Sequence, residues 1–143
     1  MATNMPGNRR EPHVKLAIPI SAGRISTAFD FARHILLVEF EGGREVRRSD
    51  LILEEELPLN RARRLQAAGA SVLICGAISR SLAEHLANSG IDVIPFVSGR
   101  REEVLAAYCA GELDAARFIM PGSTYQERTE WRLRISSGKP AKA

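Results

Sequence analysis

The spacing of apolar and polar residues changes near Pro58, and the two parts of the chain predict different structures. Before this point, apolar runs separated by turns predict strands at 14–20, 34–40 and 45–53. Residues 41–44, Glu-Gly-Gly-Arg, join the second and third of these strands and are typical of a hairpin turn. These strands are therefore expected to pair in antiparallel fashion.

After Pro58, helical and strand patterns alternate along the chain. Strands that alternate with helices at this spacing pair in parallel through right-handed crossovers. The order β-β-β-α-β-α-β-α over 13–114 therefore predicts an α/β domain with a mixed sheet flanked by helices. The first predicted helix carries Arg61, Arg63 and Arg64 on its outer face. The predicted elements of this part are helices at about 60–68, 79–88 and 98–109 and strands at 72–75 and 91–97.

Two polar segments flank this domain. Residues 1–12 are predicted to be a disordered leader, and 115–143 a basic, partly disordered extension with a weak strand-like pattern at 130–135. The basic residues of both segments have two interpretations, solvated ends or arms that bind nucleic acid or an acidic partner. Without interleaved aromatic residues we favour solvated ends and expect no nucleic-acid partner. Near the start of the chain these basic residues are Arg9 and Arg10, with Lys15 just after the first segment, and in the tail they are Arg128, Arg132, Arg134, Lys139 and Lys142.

The composition of the 143 residues, 45% hydrophobic and 26% charged, is typical of a globular domain that buries a core without disulfides or metal ions. No apolar run approaches the roughly 20 residues that span a bilayer, so no membrane partner is expected. Residues 1–12 contain no apolar signal-peptide core, which favours a cytoplasmic location. A structural disulfide between the two cysteines is then not expected.

Three turns rich in small residues are expected to meet at the carboxyl edge of the sheet, where open α/β sheets bind ligands. Helices follow two of these turns, and their free N–H groups, with nearby arginines, favour an anion such as a phosphate, a carboxylate or a charged cluster. The alternative is that Gly and Ser only form tight turns and caps. The candidate ligand-binding residues are Ser21, Gly23, Arg24, Ser26, Phe29, Gly76, Ala77, Ser79, Ser98 and Arg100.

Cys75 ends an apolar run that is typical of a strand buried on both faces, and it is a candidate metal ligand. Thiolates bind soft metals and iron–sulfur clusters, and the nearby helix N-terminus would favour the thiolate of an exposed Cys75. The alternative is a small buried side chain, since one thiol cannot hold a cluster alone. We expect Asp30 to form a turn or a helix cap. We expect Phe29 to be a core residue that anchors the loop after the first strand. The three histidines lack the spacing of a metal site.

Known catalytic signatures are absent from the sequence, which has no nucleophile elbow, Walker loop or dinucleotide fingerprint. A two-metal nuclease needs carboxylates clustered on neighbouring strands. Here Glu39 stands alone, and the contiguous acidic run at 54–56 suits a solvated loop. We therefore expect a protein that is not an enzyme.

Five segments of the chain occur in an order and spacing that match a known family. They are Lys15–Ile20, Leu36–Phe40, Val72–Ile78, Gly90–Phe96 and Glu103–Leu113. Through them the chain resembles the dinitrogenase iron-molybdenum cofactor biosynthesis family over most of 14–113.

The resemblance implies a ribonuclease H-like fold with a mixed five-stranded sheet. It also implies a non-catalytic carrier connected with nitrogen fixation, which holds iron-molybdenum cofactor or an iron–sulfur precursor and has metallocluster-assembly proteins as partners. Members commonly carry a His-Phe-Gly motif after the first strand, where this chain has Ala28, Phe29 and Asp30. The alternative is an interaction or regulatory module of the same fold that has lost cluster binding and binds a protein or small metabolite.

Overall fold

A computed structural model describes residues 13–136 as a six-stranded mixed sheet with helices on both faces. The predicted leader and the end of the extension, with Lys139 and Lys142, lie outside the described residues. The strands are β1 (His13–Ser21), β2 (Arg24–Ile25), β3 (His34–Glu41), β4 (Arg44–Ile52), β5 (Val72–Ile74) and β6 (Asp92–Ile94). The helices are α1 (Pro58–Ala67), α2 (Arg80–Asn88), α3 (Arg101–Ala110) and α4 (Tyr125–Ser136), with 3-10 turns at Phe29–Phe31 and Ala116–Phe118.

The strand order β4-β3-β1-β5-β6 joins an antiparallel half to a parallel half. β3 pairs antiparallel with both β1 and β4, whereas β5 pairs parallel with β1 and β6. This arrangement confirms the predicted mixed sheet, and between Pro58 and Gly111 each predicted helix and strand lies within three residues of its expected bounds. The sixth strand, β2, pairs antiparallel with the end of β1 and is a correction to the predicted five, because two residues are too few to show a period.

The core lies on both faces of the sheet, as the alternation along β1 requires. Leu16, Ile18 and Ile20 lie on one face with residues of α3, and Ala17 lies on the other face with residues of α1 and α2. β5 divides in the same way and is buried on both faces, as its continuous apolar run predicted.

The strand predicted at 130–135 is wrong, because these residues belong to helix α4. The apolar residues Trp131, Leu133 and Ile135 alternate like a strand, but a capping box begins a helix upstream of them. In this box the Thr124 hydroxyl accepts a hydrogen bond from the Glu127 N–H, and the Glu127 carboxylate accepts one from the Thr124 N–H, each at 3.0 Å. The signal was therefore present in the sequence as Thr-x-x-Glu.

Two arginines of α4 bind the outer edge of β6. Arg128 Nε donates to the carbonyl oxygen of Pro95 at 2.8 Å, and Arg132 Nε donates to that of Val93 at 3.1 Å. The two arginines are one helical turn apart and the carbonyl groups that they bind are two residues apart, so the helix lies alongside the strand. An uncovered edge strand presents unpaired backbone groups to other chains. α4 therefore protects this edge of the sheet.

The interpretation of the basic extension as a solvated end is wrong for Arg128, which is only 2% exposed. Besides Pro95, its guanidinium donates to the carbonyl oxygens of Leu113 at 2.9 Å, Phe118 at 3.0 Å and Phe96 at 3.2 Å. Burial lowers the pKa of Arg128, because removing a charge from water disfavours the charged form. One side chain thus joins three separate parts of the chain to α4.

Within residues 13–136, no helix combines the length and the apolar character that crossing a membrane requires.

Replacing Arg128 by Met should lower the free energy of unfolding by about 3 kcal/mol or more, because buried carbonyl groups lose their charged donor. Arg63→Met on α1 is the matched control, since this arginine is exposed and its loss should cost less than about 0.5 kcal/mol. Urea unfolding of both variants measures the difference. Equal stabilities would show that the Arg128 hydrogen bonds do not hold the extension in place.

Candidate functional site

The segments that follow β1, β5 and β6 lie against one another at the carboxyl edge of the sheet. We call residues 21–30, 75–79 and 95–100 together the rim. The structure confirms that they converge, because backbone hydrogen bonds join each pair of segments. These bonds run from Ile25 N–H to Gly99 O at 3.0 Å, from Ala77 N–H to Thr27 O at 2.9 Å and from Phe96 N–H to Gly76 O at 2.9 Å.

Several N–H groups that the sequence suggested as ligand donors are already used inside the protein. Ala77 N–H is bound by a carbonyl of the first segment, and Arg101 N–H, at the start of α3, donates to Gly23 O at 2.9 Å. Ser79 N–H donates to a carboxylate oxygen of Asp30 at 2.7 Å. Recognition of an anion at the rim therefore falls mainly to side chains.

The N-terminus of α2 is capped from two directions. The hydroxyl of Ser79 accepts a hydrogen bond from Leu82 N–H at 3.3 Å, which is the ordinary cap role considered for this serine. The carboxylate of Asp30 lies at the positive end of the same helix, where negative charge is favoured. Asp30 therefore has the cap role that the sequence favoured, although its partner lies 49 residues away and could not be named from local pattern.

The guanidinium group of Arg61, on α1, binds the end of the first rim segment. It is 3% exposed and donates to the carbonyl oxygens of Phe29 and Ala32, each at 2.7 Å, and of Glu55 at 2.8 Å. Its guanidinium carbon lies 5.1 Å from the centre of the Phe29 ring, within range of a cation–π interaction. Burial lowers the pKa of Arg61. Its predicted place on the outer face of α1 is therefore wrong.

Phe29 is fully buried, so it anchors the first loop and does not contact a ligand at the surface. Cys75 is also fully buried, within the core under α1 and α2, and burial raises the pKa of its thiol. The thiolate expected for an exposed Cys75 is thus disfavoured, and the structure agrees with its alternative role as a small core residue. Across residues 13–136, no three His, Cys, Asp or Glu side chains are grouped as a metal site requires.

Arg24 and Arg100 are the exposed cations of the rim. They lie opposite each other in an antiparallel bridge, and neither guanidinium group has a hydrogen bond or ion pair with another of the described residues. Like charges directly opposite each other on paired strands destabilise the pair. An anion bound between them would remove this repulsion, so the pair is the feature of the rim that most favours a negatively charged ligand.

The other predicted site residues differ in exposure. Gly76 is buried, and its backbone lies so close to the first segment that a Cβ atom there would be 2.7 Å from Thr27 O and 2.8 Å from Ser26 O. A ligand-binding role for the ten predicted site residues stays a prediction. Ser21, Gly23 and Ser79 are exposed, and Ser26, Ala77 and Ser98 are partly buried.

Sequence reasoning missed the unusual backbone at Phe96, where φ is 62°, a left-handed value that is rare for a bulky residue. Two contacts from α4 hold this conformation. The Phe96 carbonyl accepts a hydrogen bond from Arg128, and its ring packs edge-to-face against Trp131 with centroids 5.9 Å apart. The extension therefore shapes the third rim segment.

A separate groove of about 490 Å³ lies between α3 and α4. Tyr108 and Leu113 contribute to one wall, and Tyr125 and Leu133 to the other. None of its lining residues belongs to the rim.

Comparisons with known proteins show the family and the fold. The family model described as "Dinitrogenase iron-molybdenum cofactor" matches residues 13–111, a span that ends before α4. The search of curated proteins found no match.

Three solved structures illustrate the shared fold. The protein PH0822 is 24% identical, with 69% of this chain and 93% of that chain covered and a TM-score of 0.65. MJ0327 from Methanocaldococcus jannaschii is 17% identical, with 71% and 92% covered and a TM-score of 0.59. The apo form of the orange protein from Desulfovibrio gigas is 18% identical, with 68% and 88% covered and a TM-score of 0.57. The ribonuclease H-like name of the fold stays a prediction.

The burial of Cys75 can be tested with a thiol reagent in the native protein. Cys109 is exposed and should therefore react in the native protein. Because desolvation raises the pKa of its thiol, the reaction should become faster as the pH rises and more thiolate forms. Cys75 should react only when the protein unfolds. The Cys75→Ser and Cys109→Ser variants separate the two rates. Reaction of native Cys75 at the rate of Cys109 would contradict its burial and restore it as a candidate ligand.

Gly76→Ala should destabilise the protein by about 2–4 kcal/mol, because backbone oxygens of the first rim segment occupy the space of the new methyl group. Gly111→Ala is the control, since its φ of 72° is strained for alanine but nothing lies within 4 Å of the added carbon, so about 1 kcal/mol is expected. Thermal or urea unfolding measures both. A smaller effect at Gly76 than at Gly111 would refute the close contact.

Proposed function

The chain belongs to the dinitrogenase iron-molybdenum cofactor family, and from this premise we propose that it holds an anionic metal–sulfur cluster, or a precursor of one, at the rim. It acts as a carrier and catalyses no reaction itself. Arg24 and Arg100 supply the attraction, and the cluster is cargo that is received and passed on. Metallocluster-assembly proteins are the partners that such a carrier requires.

The observation that carries this proposal is the Arg24–Arg100 pair. The two exposed residues lie opposite each other in an antiparallel bridge, and their guanidinium groups have no anionic partner among the described residues. Guanidinium groups offer several N–H donors in a fixed plane and stay charged at any physiological pH. A ligand with two or more negative charges can contact both at once, whereas a neutral ligand gains nothing from them.

The residues present fit a cluster held by charge and do not fit one ligated by the protein. The Cys75 thiol is buried, and burial raises its pKa, so the thiolate that would bind a metal is disfavoured. Within residues 13–136, no three His, Cys, Asp or Glu side chains lie close enough together to hold a metal ion. Binding through exposed arginines is weaker than coordination by thiolates and is screened by salt. Such binding suits a carrier, because the cargo leaves without breaking a bond to the protein.

A second candidate function is an interaction or regulatory module that has lost cluster binding. The contact between Asp30 and Ser79 favours it, because the chain's own carboxylate occupies the helix N-terminus that would otherwise attract an anion. The two functions differ in whether an anionic metal–sulfur ligand binds at the rim.

Anaerobic titration with tetrathiomolybdate, a dianion with molybdenum–sulfur bonds, tests the carrier proposal. The wild type should bind it, and Arg24→Gln/Arg100→Gln should bind it about tenfold more weakly because two charge contacts are lost. Equilibrium dialysis with elemental analysis of molybdenum gives the affinities.

The matched control is Arg44→Gln/Arg63→Gln, which removes the same charge elsewhere. Arg63 is exposed on α1, and Arg44 is exposed in the β3–β4 hairpin, at the end of the sheet where β1 begins. The control should bind like the wild type. Absence of binding by the wild type, or equal weakening in both double variants, would contradict the carrier proposal.

A further inference from the structure

The groove between α3 and α4 is a cavity that the proposed function does not use. Its volume of about 490 Å³ lies within the range of roughly 300–1,000 Å³ that is typical of small-molecule sites. The bonds from Arg128 to the carbonyl groups of Leu113 and Phe118 hold α4 against the segment that follows α3. The ring of Tyr108 contacts the ring of Phe40, with centroids 5.8 Å apart. The walls are therefore already in place, which lowers the entropy cost of binding a ligand.

The walls of the groove are apolar and aromatic. Leu133 on α4 is 66% exposed, and the neighbouring wall residue Tyr125 is also exposed. Ile94 and Leu113 contribute further apolar surface to the same cavity. A flat aromatic ring removes such surface from water and packs favourably against tyrosine rings. The walls therefore favour a ligand with an aromatic ring.

The polar groups of the groove that lack hydrogen bonds are mainly acceptors. The hydroxyl groups of Tyr108, Tyr125 and Thr129 form no hydrogen bond with any residue that the structure describes. The carboxylate of Asp114 also has none within residues 13–136, and its ion pair with Arg128 is long, at 3.8 Å. A hydroxyl both accepts and donates, whereas a carboxylate only accepts. A ligand that carries an N–H or O–H donor satisfies these groups best.

The two arginines that line the groove are engaged within the protein. Arg128 directs its N–H groups at four backbone carbonyl oxygens. Arg132 donates to the carbonyl oxygen of Val93 and, at 2.9 Å, to both carboxylate oxygens of Asp92. An anionic ligand would have to compete with these bonds. The groove therefore does not favour the kind of ligand proposed for the rim.

We propose that this groove binds a flat aromatic molecule of one or two fused rings that carries a hydrogen-bond donor. The ring lies between the walls formed by α3 and α4, and the Asp114 carboxylate accepts the donor. Asp114 has this role because hydrogen bonds to a charged group are stronger than those between neutral groups. The site is independent of the carrier proposal, and α4, which forms one of its walls, lies beyond the family match at 13–111.

Two compounds with the same ring system test the class of ligand. 2-Naphthol carries an O–H donor, and in 2-methoxynaphthalene a methyl group replaces the donor hydrogen. The wild type should bind 2-naphthol about fivefold more tightly, because only this compound donates to Asp114. Burial of apolar surface alone would favour the methoxy compound, which is the more apolar of the two. NMR titration gives both affinities, and shifts at the amides of Gly111 and Thr129 locate the site.

The variant Asp114→Ala tests the acceptor. It should bind the two compounds with equal affinity, because the group that distinguishes them is lost. Asp50→Ala is the matched control, since the Asp50 side chain is 66% exposed, against 63% for Asp114, and lies on β4 at the opposite edge of the sheet. This control should keep the wild-type preference, and thermal unfolding verifies that both variants are folded.

The variant Leu133→Ala tests the wall. It should weaken the binding of both compounds about threefold, because apolar contact area is lost. Leu57→Ala is its control, since Leu57 is 64% exposed and precedes α1, outside the groove. This control should bind both compounds like the wild type.

Four results would overturn the proposal. They are absence of saturable 2-naphthol binding by the wild type, equal or tighter binding of the methoxy compound, a preference that persists in Asp114→Ala, and equal weakening by Leu133→Ala and Leu57→Ala. The Arg24→Gln/Arg100→Gln variant should bind 2-naphthol like the wild type, because the groove contains no rim residue. Weaker binding by this variant would place the compound at the rim and would also overturn the proposal.

Discussion

Two buried guanidinium groups hold the loops of the rim in place. Arg61 binds the carbonyl groups of Phe29 and Ala32, and Arg128 binds those of Pro95 and Phe96. A buried cation is costly unless hydrogen bonds satisfy it, and a buried carbonyl also needs a donor. Arginine and loop therefore hold each other in place, and neither can move alone. The first and third segments of the rim owe their positions to these two side chains.

This fixation has a chemical consequence for the rim. N–H groups that could bind a ligand are instead satisfied by neighbouring segments and by Asp30. The rim is preorganised, which lowers the entropy cost of binding, but much of its backbone is already occupied. What remains for the proposed ligand is the charge of the exposed side chains Arg24 and Arg100. A site of this kind distinguishes ligands by charge more than by shape.

The sequence predicted most of the fold because strand and helix periods follow directly from which faces are buried. The convergence of the three turns followed from the parallel order of the strands. Two of the wrong predictions concern arginine, which sequence patterns assign to the surface. Nothing in the sequence near Arg61 shows that a loop about 30 residues earlier lies against its helix. A third wrong prediction is the strand at the position of α4, where three apolar residues after Glu130 alternate with polar ones.

Amide hydrogen exchange of the ligand-free protein, followed by NMR, tests most directly the claim that the rim is held together from within. The N–H groups of Ile25, Ala77, Ser79 and Arg101 should exchange as slowly as those of the central strands, because each is bound by a neighbouring segment. Exchange as fast as that of the exposed hairpin residue Gly43 would contradict the account and would show that these groups are open to solvent.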